Sequence, residues 1–344
     1  KNNVPVVRED AAFTAENVPL SAIAKSRWEV VVRLIYSVLP VAGLFLAGMP
    51  STGVAAPEGW QPLLEPTELA AILEREPSVR VIHVSGEFSA GHIPGAVNAP
   101  YAEWRGPPQN PGALRSVEEF GALVRSLGIE ADTPVVIVHA GTNPTDMGTA
   151  ARVYWTLKSL GLDDLALVNG GFAAWSEANL PVSTEPVAVE ASDFEPQWSE
   201  EWRVTTEDVE ALIETGEASL VDARPDNFFE GRFWTIARPG TIRGAESLTY
   251  EDWFDGTRMM SRQTISEIAA ARGQEASLTV SFCNTGHWAA INWFALSEIA
   301  GVPNTRLYAE SMAEWTAAGR PLDNAPHRVT VYWTQTRSWI EGIF

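Results

Sequence analysis

A single cysteine stands among 344 residues, so the chain has no internal disulfide. With five scattered histidines and no second thiol, it also offers no zinc cluster. Basic residues are the second shortage. Lys and Arg total 24 against 44 Asp and Glu, a formal charge of −20, which excludes nucleic acid and anionic membrane surfaces as charge-held partners. An anionic ligand therefore needs a local positive site. Nothing in the composition calls for a metal or a cofactor. What is present suits a globular chain: 45% hydrophobic residues and ordinary glycine and proline content. The length fits two domains of roughly 120 to 150 residues, each able to bury a core. Fourteen tryptophans are expected mainly as core and interface anchors.

The first 56 residues read as an extension carrying a targeting signal. Lys25, Arg27 and Arg33 precede Leu34 to Met49, sixteen residues without a charge, and Ser51-Thr-Gly-Val-Ala-Ala56 follows. Basic flank, apolar stretch and small residues are the parts of a secretory signal peptide, with cleavage expected after Ala55. An uncleaved anchor, attaching the chain to a membrane through residues 30–49, is the competing reading, although the stretch is short for a span. A buried core helix is the third. In the first two cases the body of the protein is exported, to the periplasm or to the outer side of a membrane.

The cysteine itself sits in Ser277-Leu-Thr-Val-Ser-Phe-Cys-Asn-Thr-Gly-His-Trp-Ala289. A β-branched apolar run ends at Cys283, a loop follows, and apolar residues at helical spacing begin near Ala289. A free cysteine is often an inert core residue, but Asn284, Thr285 and Gly286 suit a turning loop better than a continuing strand. A strand, loop and helix order presents the sulfur to backbone N–H groups that favour a thiolate.

The chain also repeats itself. Residues 79–104 hold a short apolar run, Gly91-His-Ile-Pro-Gly-Ala96 and Tyr101-x-x-Trp104; residues 219–253 hold an apolar run, Gly240-Thr-Ile-Arg-Gly-Ala245 and Tyr250-x-x-Trp253. Downstream, a strand over 134–139 and a helix over 149–161 are matched by a strand over 278–282 and a helix over 289–301. Another strand follows in each half, at 165–168 and 305–308, and each half closes on Ala178-Asn-Leu-Pro-Val182 or Ala318-Gly-Arg-Pro-Leu322. Continuous apolar strands alternating with helices predict parallel sheets covered on both faces. The expected organisation is a domain over 60–185, an acidic, proline-containing linker over 186–202, a second domain over 203–326 and an aromatic tail over 327–344.

The two copies resemble the two domains of a tandem rhodanese, a sulfurtransferase family. The elements carrying the resemblance are Gly91-His-Ile-Pro-Gly-Ala96, Val221-Asp-Ala-Arg224 and Cys283-Asn-Thr-Gly-His-Trp-Ala289. It implies two rhodanese-like α/β domains, the first a scaffold and cleft wall and the second catalytic, with Cys283 taking sulfane sulfur from a small anionic donor as a persulfide and passing it to a thiol or cyanide acceptor. No cofactor is implied.

The backbone of Asn284, Thr285, Gly286, His287 and Trp288 is expected to curl around the sulfur as an anion nest. The loop departs from the thiosulfate type, which resembles Cys-Arg-Lys-Gly-Val-Thr, and from the 3-mercaptopyruvate type, which resembles Cys-Gly-Ser-Gly-Val-Thr. Charge for the donor is therefore sought at Arg224 and Arg232, with a structural pairing of Arg224 to Asp222 as the alternative. His287 either meets the donor or titrates near neutral pH, or only braces the loop. Trp288 walls the cleft or anchors the helix start. His139 and Asp146, in the corresponding loop of the first half, are expected to be packed or solvated.

Two further classes stay open. A phosphatase of the related cell-cycle type needs an arginine where this chain has Ala289. A non-enzymatic relay would receive its persulfide from a partner, for which the aromatic tail offers a docking segment, although that tail is expected to pack onto its own domain.

Overall fold

The structure, a computed structural model, describes residues 56–272 and 277–326. The expected targeting segment and the aromatic tail lie outside the described residues.

In the first half, strands β1 (Leu63–Leu64), β2 (Arg80–His83), β3 (Val97–Asn98), β4 (Val135–Val138) and β5 (Leu165–Val168) form a wholly parallel sheet in the order β1-β5-β4-β2-β3. Helices α1 (Pro66–Arg75), α2 (Val117–Ser126), α3 (Met147–Ser159) and α4 (Gly171–Glu177) cover it. All four residues of β4 are buried, which is why the strand reads as an unbroken apolar run rather than an alternating one. A reciprocal side-chain cap starts α2: Ser116 accepts from the Glu119 N–H while Glu119 accepts from the Ser116 N–H.

The second half repeats the plan. Helices α5 (Thr206–Thr215), α6 (Asp226–Phe229), α7 (Arg262–Ala271), α8 (Trp288–Phe294) and α9 (Ser311–Ala317) surround strands β6 (Ala218–Asp222), β8 (Glu246–Ser247), β11 (Leu278–Phe282) and β12 (Thr305–Leu307). The parallel order β12-β11-β6-β8 matches β5-β4-β2-β3 of the first sheet. Two antiparallel ribbons are added, β7 (Thr241–Ile242) with β13 (Leu322–Asp323) and β9 (Phe254–Asp255) with β10 (Arg258–Met259).

The predicted strands at 165–168 and 278–282 match β5 and β11, and the helix predicted over 149–161 is α3. The helix predicted over 289–301 instead changes character after Phe294. Residues Ala295–Ile299 form a π-turn, and the Ala300 N–H reaches the Ala295 carbonyl.

Every residue of α3 except Lys158 is buried, as expected of a helix covered on all sides. It packs on β4 and β5 of its own sheet and on α8 of the other half. Tyr154 meets the rings of Trp293 and Phe294 at 6.1 and 5.1 Å. One core cluster thus holds residues of both halves. The stretch between the halves is packed too: Phe194 is buried and Trp198 stacks on Phe120 with planes 7° apart.

Candidate active site

Cys283 leaves the end of β11 at 1% exposure and borders a cavity of about 550 Å³. Pro108, Pro111 and Thr145 of the first half and Thr235, Ile236, Ala313 and the loop residues Asn284, Thr285, His287 and Trp288 of the second line it.

The loop geometry follows from where its carbonyls go. The Cys283 carbonyl accepts from Met312 N–H at 3.0 Å and that of Asn284 from Ala313 N–H at 2.9 Å. The carbonyl of Thr285 accepts from Arg105 Nη2 at 2.8 Å, and that of Gly286 from Arg152 Nη1 at 3.4 Å. The described residues contain no cis peptide, and in a trans peptide C=O and N–H point in opposite directions. Four anchored carbonyls therefore turn the N–H groups of Asn284, Thr285, Gly286 and His287 to the opposite side, where no group among the described residues accepts them. Such a run of free N–H groups is an anion nest. Gly286 makes the turn at φ +71°, a backbone conformation that costs glycine nothing.

His287 is fixed from the first half. Its Nδ1 accepts from the Tyr101 hydroxyl at 3.1 Å, which accepts in turn from Arg105 Nη1 at 2.9 Å, and its Nε2–H donates to the Thr145 carbonyl at 2.8 Å. Burial, with the Arg105 charge adding to it, pushes its pKa down to about 4. The imidazole is neutral across the physiological range, so of the expectations for His287 the one of titration near neutrality is corrected. Trp288 stacks on Tyr250 with ring centroids 5.1 Å apart and planes at 8°, and its indole N–H donates to the Thr145 hydroxyl.

The two predicted arginines lie elsewhere than on the cavity wall. Arg224 is fully buried: its Nε and Nη2 donate to Asp222, Nη2 also to the Gly240 carbonyl at 2.7 Å, and Nη1 to Asn284 Oδ1 at 3.2 Å. It braces Asn284 from behind. Arg232 is 66% exposed, ion-paired with Glu230, and does not line the cavity. Its loop turns it to solvent, where a carboxylate two residues away holds it.

In the first half His139 occupies the position at the end of β4 that Cys283 has at the end of β11. Both its ring nitrogens are buried without a partner among the described residues, and burial pushes its pKa down to about 4. Asp146 accepts from the N–H and hydroxyl of Thr142, as a loop-closing residue does.

A model of the rhodanese-like domain matches residues 65–178 and again 205–318. The chain belongs to the rhodanese family. A protein of Synechococcus elongatus, provisionally named a thiosulfate sulfurtransferase, is 26% identical over 314 residues, covering 87% of this chain and 95% of the relative. The sulfur carrier protein TtuD of Thermus thermophilus is 29% identical over 70% of this chain and 88% of its own length. Among solved structures, SseA from Escherichia coli, described with the rhodanese fold of 3-mercaptopyruvate sulfotransferases, superposes with a TM-score of 0.64 at 22% identity, covering 73% of this chain and 98% of that one. That likeness speaks for the fold. The family places the chain among the sulfurtransferase enzymes.

Within this rhodanese pair, residues of the first half that sequence reasoning did not single out as site residues hold the loop: Arg105, Arg152, Tyr101 and Thr145. A signal was present for Tyr101. The Tyr-x-x-Trp phrase recurs in both halves, and its two tyrosines meet the loop at His287 and Trp288.

Proposed function

We propose that the protein moves sulfane sulfur from a small donor, thiosulfate or 3-mercaptopyruvate among them, to a thiol or cyanide acceptor through a persulfide on Cys283. The observation that carries this is Cys283 at the head of a cavity, inside a loop whose four successive N–H groups are left free. The Cys283 thiolate attacks the outer sulfur of the donor and forms a new S–S bond. The bond between that sulfur and the rest of the donor breaks, and its electron pair leaves with the departing group, sulfite in the case of thiosulfate. The acceptor thiolate or cyanide then attacks the outer sulfur of the persulfide, and Cys283 recovers its electron pair as thiolate. Both thiolate and persulfide are anions, and aimed N–H groups stabilise them without a cation in the loop. Neutral His287 donates to Thr145 and serves to hold the loop.

The basic, apolar and small-residue run over residues 25–56 supports export of the two domains, to the periplasm or to the outer side of a membrane. Likeness to a sulfur carrier protein favours a second reading, in which a partner loads and unloads Cys283. Turnover separates the two. Purified protein with thiosulfate, 3-mercaptopyruvate or glutathione persulfide as donor, and cyanide or dithiothreitol as acceptor, is expected to turn over, and Cys283→Ser to be inactive. Loading without turnover supports the carrier reading, and equal activity in the serine variant overturns both.

A further inference from the structure

Two of the four anchors of the catalytic loop come from its own domain, through the backbone of α9, and two come from the domain that has no thiol. We propose that Arg105 and Arg152 are positioning residues for sulfur transfer, by which the first domain aims the Gly286 and His287 N–H groups and places positive charge behind the Cys283 sulfur. The proposal rests on the reading of Cys283 as the sulfur carrier.

Arg152 rises from α3 with no exposed surface. Its Nη1 is shared between the carbonyls of Gly286, at 3.4 Å, and Ala309, at 3.3 Å, and its Nη2 donates to the Gly112 carbonyl at 3.0 Å. Arg105 is 9% exposed, and its guanidinium is divided between the Tyr101 hydroxyl and the Thr285 carbonyl. Among the described residues neither guanidinium is ion-paired; Glu310, a carboxylate whose field acts on Arg152, is itself bonded to Arg203 at 2.6 Å.

A buried cation without a carboxylate is costly. A tie to carbonyls asks for N–H donors and does not by itself ask for charge. Burial and the neighbouring Arg105 pull the Arg152 pKa to about 10, which still leaves it charged at neutral pH. The chain thus keeps two cations where the loop's anion forms, and neither is spent on a side-chain anion. Gly286 fits the same account: a Cβ there would lie 2.1 Å from Arg152 Nη1 and 2.3 Å from the Ala309 oxygen. The close approach of the guanidinium is what the missing side chain permits.

The test compares Arg105→Gln and Arg152→Gln with the matching lysine variants in the full chain, after thermal melts have established folding. Two quantities are read: the rate at which Cys283 gains sulfur from donor, followed by intact mass, and the ratio of its alkylation by anionic iodoacetate to that by neutral iodoacetamide. A tether without electrostatic function does not move the ratio. Removing one aimed oxyanion donor costs about a hundredfold or more, so misaiming it is expected to cost about tenfold in each glutamine variant. The iodoacetate ratio should fall severalfold in the same variants and stay near wild type with lysine. Folded glutamine variants within twofold of wild type on both readouts overturn the proposal. Should Arg152→Gln fail to fold, Arg105→Gln, at the loop margin, decides. If no donor loads wild-type Cys283, the sulfurtransferase reading falls, while the alkylation ratio still decides the positioning role.

Discussion

Imidazoles held neutral in the fold are one source of acid sensitivity in this molecule. In the unfolded chain a histidine binds its proton near pH 6.5; in the folded one His139 and His287 do so only near pH 4. Between those values the unfolded state alone takes up protons. The stability held by neutral burial is therefore complete above about pH 6.5 and is lost as pH falls toward and through about 4. Thermal midpoints measured from pH 7 to 4 should decline over that window, and His139→Leu, which replaces an unpartnered ring with an apolar side chain, should flatten the decline. An unchanged acid slope in that variant would contradict the assignment. At this scale the sequence made Cys283 legible, since a β-branched run followed by Asn, Thr and Gly is a local pattern. Arg105 and Arg152 were not legible, because they meet the loop across 180 and 134 residues of chain. Arg224 carried the expected motif but spends its charge on Asp222.

Among the elements, the Cys283 loop depends most on a single residue. Gly286 combines a left-handed φ with a backbone pressed against a guanidinium and a carbonyl. Gly286→Ala should lose sulfur transfer and about 1–3 kcal/mol of stability, the usual range for strain at such a position. Denaturant melts paired with turnover check this, and a variant equal to wild type in both would show that the turn is not required. The strands were readable because double-sided burial leaves continuous apolar runs, as in Val135–Val138. The break in α8 was not: Ala295 to Ile299 contains nothing that ends a helix, and the π-turn is a matter of packing. Arg152 left a faint trace as the one charged residue between Met147 and Leu157.

The two domains share a hydrophobic core. Helix α3 is buried between the first sheet and α8, and a single core cluster takes in Trp155 of one half and Trp293 of the other. Burying one such large side chain contributes about 1.5–3 kcal/mol, so the second domain alone forfeits several such contributions along with two loop anchors. Residues 203–326 produced by themselves should aggregate or elute as an expanded species, and should not turn over donor. A monomeric, active fragment would show that the first domain is dispensable. The repeat in the sequence revealed two units; it did not reveal that they share a core, since that is a property of which faces meet. The central claim, however, concerns one atom. Intact-mass measurement after exposure to donor, with peptide mapping, tests it most directly: the account predicts a gain of one sulfur located at Cys283, absent in Cys283→Ser and reversed by a thiol. Turnover with no sulfur ever found on Cys283 would contradict it.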